Sequence, residues 1–279
     1  MVLKIEQILG SKTGINLLRK LTLKPYLSFG LSELANELST SKSNVFRIIQ
    51  PLKKQKILIE SGAKRKKKIK INSSHKLNSK LYEIFMIEKQ NQLDPKFKNI
   101  LDLVYSQINE KVKIFILFGS VAYGLQKEDS DIDICVVGDK SVEGLSFDFF
   151  ENKIEIHNYS FEDFKRISDF VVLEALLNGV WYKGEEVFEI LSNINSVPTS
   201  YLIYRLNKAK QFIRKANSLR GQAKKYFMDM AKITLGEIIS LLQKKTTIAK
   251  RKIKIAISHA LIKKIEKRLS EEGEKIWIG

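Results

Sequence analysis

Apolar and polar positions recur with two different periods along this chain, and the changes between them divide it into blocks. Over 12–24, Ile15, Leu17, Leu18 and Leu21 fall on one helical face. Leu31, Leu34, Ala35 and Leu38 make a second such stripe, with Ser32 near its start. The turn Ser39-Thr40-Ser41 follows, and 42–49 predicts another helix. Pro51 removes an N–H and crowds the Arg47 carbonyl, so that helix is expected to break or kink near Gln50. Two short strands, 57–59 and 68–71, flank a basic tip at 61–67. A linker helix is expected over 76–90, with Leu77, Leu81, Ile84 and Phe85 inward, ended by 91–95.

The middle of the chain reads differently. An amphipathic helix over 97–111 turns Ile100, Leu101, Val104, Tyr105 and Ile108 inward. Apolar runs at 112–118 and 132–137 predict buried strands, alternation over 154–159 predicts a third strand, and helices are expected over 161–167 and 169–177. After Pro198 the pattern is helical. Tyr201, Ile203, Tyr204, Leu206, Phe212 and Ile213 line one stretch; Phe227 to Leu242 line the next; Ala256, Leu261, Ile262, Ile265 and Leu269 line the last. The expectation is an α/β (α+β) multidomain chain divided at 1–92, 93–197 and 198–279.

Charge follows the same division. Residues 1–98 hold 21 basic and 7 acidic side chains, a balance of +14. Residues 99–199 hold 8 against 18, or −10, and residues 200–279 hold 20 against 6, or +14. A general lysine enrichment would not leave the middle acidic, so the basic ends imply a polyanionic partner such as DNA or RNA. No run of about eighteen apolar residues is present, so no membrane span is expected. The first residues lack the apolar stretch of a signal peptide. The single cysteine, Cys135, excludes an internal disulfide and suits a reducing cytoplasm.

The candidate chemistry lies between two predicted strands. Ile116-Leu117-Phe118 ends in Gly119-Ser120, Gly124 follows, and Asp131-Ile132-Asp133 opens the next apolar run. Asp131 and Asp133 are two residues apart, so strand alternation puts them on one face. Paired carboxylates repel unless a cation lies between them, and Mg²⁺ is commonly held by one or two carboxylates and substrate phosphates. A Gly-Ser turn offers backbone N–H groups and a hydroxyl to a phosphate.

Gly119-Ser120, ten residues, then Asp131-x-Asp133 resembles the signature of the DNA polymerase beta-type nucleotidyltransferase superfamily, nearest to its minimal prokaryotic members. The resemblance spans about 111–184, and 178–184 is similar to the short last strand of such domains. It implies transfer of NMP from an NTP, with ATP the default donor, to a hydroxyl on a protein or nucleic acid, with Mg²⁺ or Mn²⁺ bound. Asp131, Asp133 and a third carboxylate, for which Glu155 in Ile154-Glu155-Ile156 fits, would be the catalytic metal ligands. Gly119, Ser120, Gly124 and Lys127 would hold the triphosphate. Glu151 is a weaker substitute for Glu155 because it precedes the strand. Trp181 and Tyr182 are expected to pack rather than stack a base.

The order helix, turn, helix, strand, basic tip, strand in the N-terminal block resembles a winged helix-turn-helix domain. That resemblance implies DNA binding, with Ser43, Asn44 and Arg47 on the recognition helix and Lys64, Arg65, Lys66, Lys67 and Lys68 on phosphates. Two rival readings stay open: a transcriptional regulator whose nucleotidyltransferase core senses nucleotide, and an antitoxin acting on a partner toxin. His75, His157 and His259 have no metal-ligand spacing among themselves, and only His157 lies near the Glu155 face. Replacing Lys64, Arg65, Lys66, Lys67 and Lys68 by Ala should flatten the salt dependence of duplex-DNA binding. The slope of log K against log salt should fall by roughly 0.9 for each true phosphate contact. An unchanged slope in a fluorescence-anisotropy titration would reduce the tip to a solvated loop.

Overall fold

The computed structural model describes residues 10–62, 67–138, 142, 147–242 and 259–277. The chain forms two compact units. One comprises Met1–Pro25 with Ile48–Asn193, the other Tyr26–Arg47 with Ile194–Gly279. No helix among the described residues is long and apolar enough to cross a membrane.

The first unit opens with α1 (Lys12–Leu23), capped by Ser11, whose hydroxyl accepts the Gly14 N–H at 3.0 Å. Leu17, Leu18 and Leu21 are fully buried, as the helical spacing requires. Strands β2 (Leu58–Ser61) and β3 (Lys68–Ile71) form an antiparallel hairpin, Leu58 opposite Ile71 and Ser61 opposite Lys68. Helix α4 (Lys76–Asn91) packs against α1, where the Arg19 guanidinium grips both Glu88 carboxylate oxygens at 2.9 and 3.0 Å. The buried Asn78 amide donates to the Ile57 and Asn72 carbonyls, which ties the hairpin to α4.

Helix α4 is no free linker. Tyr82 lies 5.2 Å from the Phe188 ring, and the Gln90 amide donates to the Trp181 carbonyl. Its inward face therefore holds Leu81, Tyr82, Phe85 and Met86, whereas Ile84 is exposed, contrary to the sequence expectation. Two packed neighbours, α1 and the sheet edge, rotate the buried stripe away from the one drawn from aliphatic spacing alone.

The body of this unit is a mixed four-stranded sheet in the order β6-β5-β4-β7. Strand β4 (Val112–Phe118) is antiparallel to β5 (Ile132–Gly138) and to β7 (Val180–Lys183), and β5 is parallel to β6 (Ile154–Tyr159). Helix α5 (Pro95–Ile108) starts at an Asp94 cap with Pro95 in its first turn. It packs Phe97, Ile100, Leu101, Val104 and Ile108 with Phe115, Leu117, Ile132, Ile134 and Val136. Alternation sends Asp133 and Cys135 to the opposite sheet face. Helix α8 (Phe170–Asn178) also packs on β4 and β5, with Asp169 capping its first N–H groups. Burial of β4 and β5 on both faces explains their continuous apolar runs, whereas β6 is half-buried and alternates.

The second unit holds β1 (Phe29–Gly30) and α2 (Leu31–Glu37), where Glu33 accepts the Gly30 N–H at 2.6 Å. Helices α10 (Thr199–Asn217) and α11 (Gly221–Leu242) pack together, and α12 (His259–Ser270) packs on α10. Tyr201, Leu202, Leu206, Ala209, Leu235, Ile238 and Ile239 are buried there. Ile203 and Tyr204 are exposed, although they belonged to the expected stripe. The face is set by Leu202 and Arg205, the latter buried and paired with Glu237. Ala256 lies outside the described residues.

Helix α3 (Lys42–Lys54) continues from the second unit into the first and runs through Pro51. The expected break near Gln50 does not occur. Val45, Ile49 and Leu52 are all buried, and that burial outweighs the hydrogen bond Pro51 cannot make.

Two consequences are testable. Gly179 ends α8, and a Cβ there would stand 2.4 Å from the Ala175 carbonyl oxygen and from Ile116 Cγ2. The carbonyl is held in α8 and Ile116 in β4, so Gly179→Ala should cost about 2 kcal/mol by urea unfolding. A cost near zero would mean the α8–β4 contact can relax.

The second concerns Lys20. Burial, with Lys24 adding repulsion, lowers its pKa from 10.5 to about 8. Between about 8 and 10.5 the unfolded chain holds more protons than the folded one, so stability should rise with pH across that window. Below it the cost of the buried charge is fully present. Lys20→Met should raise the urea midpoint at pH 7 and remove the rise between pH 8 and 10.5. The same slope in the variant would refute burial as the cause.

Candidate active site

Strand β4 ends at Phe118, and a short helix, α6 (Gly119–Ala122), begins at once. Gly119 has φ +75°, a region that favours glycine. A Cβ built on it would lie 2.0 Å from Asp133 Oδ2 and 3.0 Å from its Cγ. The carboxylate of Asp133 therefore fills the space a side chain at position 119 would need. That carboxylate comes from the neighbouring strand, β5. The register brings the two residues together, since Phe118 and Asp133 are direct partners across β4 and β5.

The parallel register of β5 and β6 sets the other neighbours. Asp133 pairs with Glu155, and Cys135 with His157. Glu155 and His157 share one face of β6 while Ile154 and Ile156 pack against the core, as alternation predicts. Asp133, Glu155 and His157 each offer a ligand atom, all within 4.8 Å of one another, and all three residues are half-buried. The His157 ring lies 5.4 Å from the Phe118 ring. Asp131 is exposed, just before β5, and stands outside that set. Glu151 pairs with Lys96 at 3.4 Å and is also outside it.

Lys153 supplies positive charge at this edge. Its ammonium pairs with a Glu155 carboxylate oxygen, which holds the Glu155 pKa below its ordinary value. The same pair, with smaller contributions from Asp131 and Asp133, raises the Lys153 pKa. Lys153 is largely exposed, so the pair is weak and replaceable.

The loop between the motif halves is pinned from below. Gly124 has φ +66°, and its N–H reaches the Val121 carbonyl at 3.1 Å. Leu125 N–H donates to the Ser120 carbonyl, and Lys127 N–H to the Ser130 hydroxyl. The buried Asn152 amide donates to the Glu128 and Ser130 carbonyls at 2.7 and 3.0 Å, and Ile132 N–H donates to the Lys153 carbonyl. Tyr123 OH reaches Glu174 Oε1 at 2.7 Å, which fastens α6 to α8. Asn152 is the organising residue the sequence did not reveal. An asparagine beside a predicted turn is ordinary, and its contact with two loop carbonyls exists only once β5 and β6 pair.

The other sequence-singled residues fall as follows. Ser120 is half-buried in α6, and Lys127 is exposed on the loop. Trp181 and Tyr182 pack, Trp181 6.0 Å from the Tyr82 ring and Tyr182 5.5 Å from Phe115. Buried Cys135 has its thiol pKa pushed up by burial first and by the Asp169 charge second. Ser43 and Arg47 are exposed on α3, with Asn44 bridging Thr40 and the Arg47 guanidinium. Lys67 pairs with Glu60 at 3.0 Å, and Lys68 opens β3. Lys64, Arg65 and Lys66 lie outside the described residues.

Residues 97–194 match the family model described as a nucleotidyltransferase domain. That stretch holds all of α5 after its first two residues, the four-stranded sheet and every residue of the carboxylate centre, and the match supports nucleotidyl transfer as its general chemistry, with an NTP as substrate. No curated protein and no solved structure matches the chain.

Proposed function

We propose that this protein transfers NMP from an NTP, with ATP the default donor, to a hydroxyl on a protein or nucleic-acid acceptor, and that it contacts DNA through its N-terminal region. The observation that carries the first part is the seating of Asp133. A glycine with positive φ admits its carboxylate against the backbone, beside Glu155 and inside the matched domain. The donor set suits a divalent cation, since carboxylate oxygens from adjacent strands converge and Gly119 leaves one of them its place.

Asp131, Asp133 and Glu155 would hold Mg²⁺ or Mn²⁺, which when bound neutralises charge on the attacking and leaving oxygens. Gly119, Ser120, Gly124 and Lys127 would hold the triphosphate. The acceptor hydroxyl oxygen forms a bond to the α-phosphorus, and the bond from that phosphorus to the α–β bridging oxygen breaks. Pyrophosphate leaves with the electron pair, and the hydroxyl proton passes to water. Lys153, released from Glu155, remains close enough to balance charge at the same edge.

DNA contact is supported by exposed Ser43 and Arg47 on α3, by Lys67 and Lys68, and by the +14 balance of the first 98 residues. A winged-helix role for this region, and a phosphate-gripping role for the basic C-terminal helices, form part of the same reading.

Incubation with α-labelled NTPs, Mg²⁺ or Mn²⁺, and separate protein and RNA fractions tests the reaction. Label should enter one acceptor class. Asp133→Asn and Gly119→Ala should each lose at least about a hundredfold, or ~2.7 kcal/mol of barrier, while Glu151→Gln should keep parental transfer. Full activity in Gly119→Ala would remove the physical support for the site. Label in neither fraction would favour a nucleotide-sensing regulator or antitoxin.

A further inference from the structure

We propose that His157 is a ligand of the same centre, and that this makes it a mixed nitrogen–oxygen site selective for a first-row transition dication over Mg²⁺. The inference rests on the proposed reading of Asp133 and Glu155 as metal ligands and goes beyond it in ligand set and in metal class.

Three independent features point to His157. Position comes first. The parallel register places Glu155 beside Asp133, and two residues further along β6 alternation returns His157 to the same face. Distance is the second. Ligand atoms of Asp133, Glu155 and His157 all lie within 4.8 Å of one another, which modest side-chain rotation closes onto one cation with bonds of about 2.1 Å. Asp131, which the motif resemblance favours, stands outside that set.

Surroundings are the third. His157 is half-buried, and the Phe118 ring stands 5.4 Å from its own, bounding one side of the imidazole. Two carboxylates and a neutral imidazole balance a dication without excess charge. The Lys153 ammonium on Glu155 is mostly exposed and gives way at small cost.

Metal preference follows from donor type. Mg²⁺ takes oxygen ligands in near-ideal octahedral geometry, and an imidazole nitrogen in its shell offers it little. First-row transition dications accept imidazole together with carboxylate. An imidazole among the donors therefore shifts selectivity toward Mn²⁺ and its neighbours.

The test uses the full chain, stripped of metal by chelation and free of nucleotide, with Mn²⁺ and Mg²⁺ as probes. Binding is followed by electron paramagnetic resonance for Mn²⁺ and by calorimetry for both ions. The parent should bind Mn²⁺ at least tenfold more tightly than Mg²⁺, with pulsed spectra showing coupling to an imidazole nitrogen. His157→Gln, which keeps much of the side-chain volume, should lose that coupling and about tenfold in Mn²⁺ affinity, with Mg²⁺ affinity within twofold of the parent. His157→Ala should behave alike, and thermal melts of both variants identify any that fails to fold. Unchanged Mn²⁺ affinity and coupling in a folded His157→Gln overturn the inference. If Asp133→Asn abolishes binding in that case, the carboxylate centre stands without the histidine. If Asp133→Asn also binds as the parent does, both the inference and the centre fail.

Discussion

The contact between the Asp133 carboxylate and the backbone of Gly119 is the constraint on which the centre depends. A carboxylate oxygen lies where any other residue's Cβ would be, so the strand end of β4 and the strand start of β5 can approach only because position 119 is bare. Positive φ at the same residue turns the chain from strand into α6 within one step. Relieving the crowding would rotate the Asp133 carboxylate out of this place while the backbone register with Phe118 and Glu155 stays. One glycine thus fixes the turn and the carboxylate position.

Around that contact the protein gathers negative charge and then restrains it. Asp133 and Glu155 are lateral neighbours on parallel strands, a repulsive arrangement unless a cation lies close by. Lys153 offers an internal one, mostly in solvent, so its hold on Glu155 is loose enough to yield to a stronger cation. Beneath the site, restraint is of another kind. Asn152 is buried and holds two loop carbonyls, while Tyr123 holds Glu174 on α8. Rigid support under a half-buried, chargeable edge is what the proposed positioning of phosphates and a metal would require.

Charge distribution sets the wider context. The sheet and its helices lie in the one acidic stretch of a strongly basic chain. Separation of this kind would let a polyanion be drawn to the basic regions without neutralising the carboxylates proposed to bind metal. The lysines near the tip are themselves partly engaged, since Glu60 takes both Lys53 and Lys67 and its pKa is lowered by those two hydrogen bonds.

Periodicity and motif spacing by themselves determined the strands β4, β5 and β6, the helices α5 and α8, the shared face of Glu155 and His157, and the Gly119–Asp133 motif. These are local properties: alternation, helical spacing and turn chemistry act within a few residues. Tertiary structure decided the rest. Pro51 sits inside α3 because burial of Ile49 and Leu52 outweighs a missing hydrogen bond. Ile84 faces outward because α4 serves two neighbours at once. The Asp133 carboxylate stands where a Cβ at position 119 would be, and His157 joins Asp133 and Glu155 in the close set, because strand register couples residues more than ten positions apart. Register is a property of paired strands, and no single strand's sequence contains it.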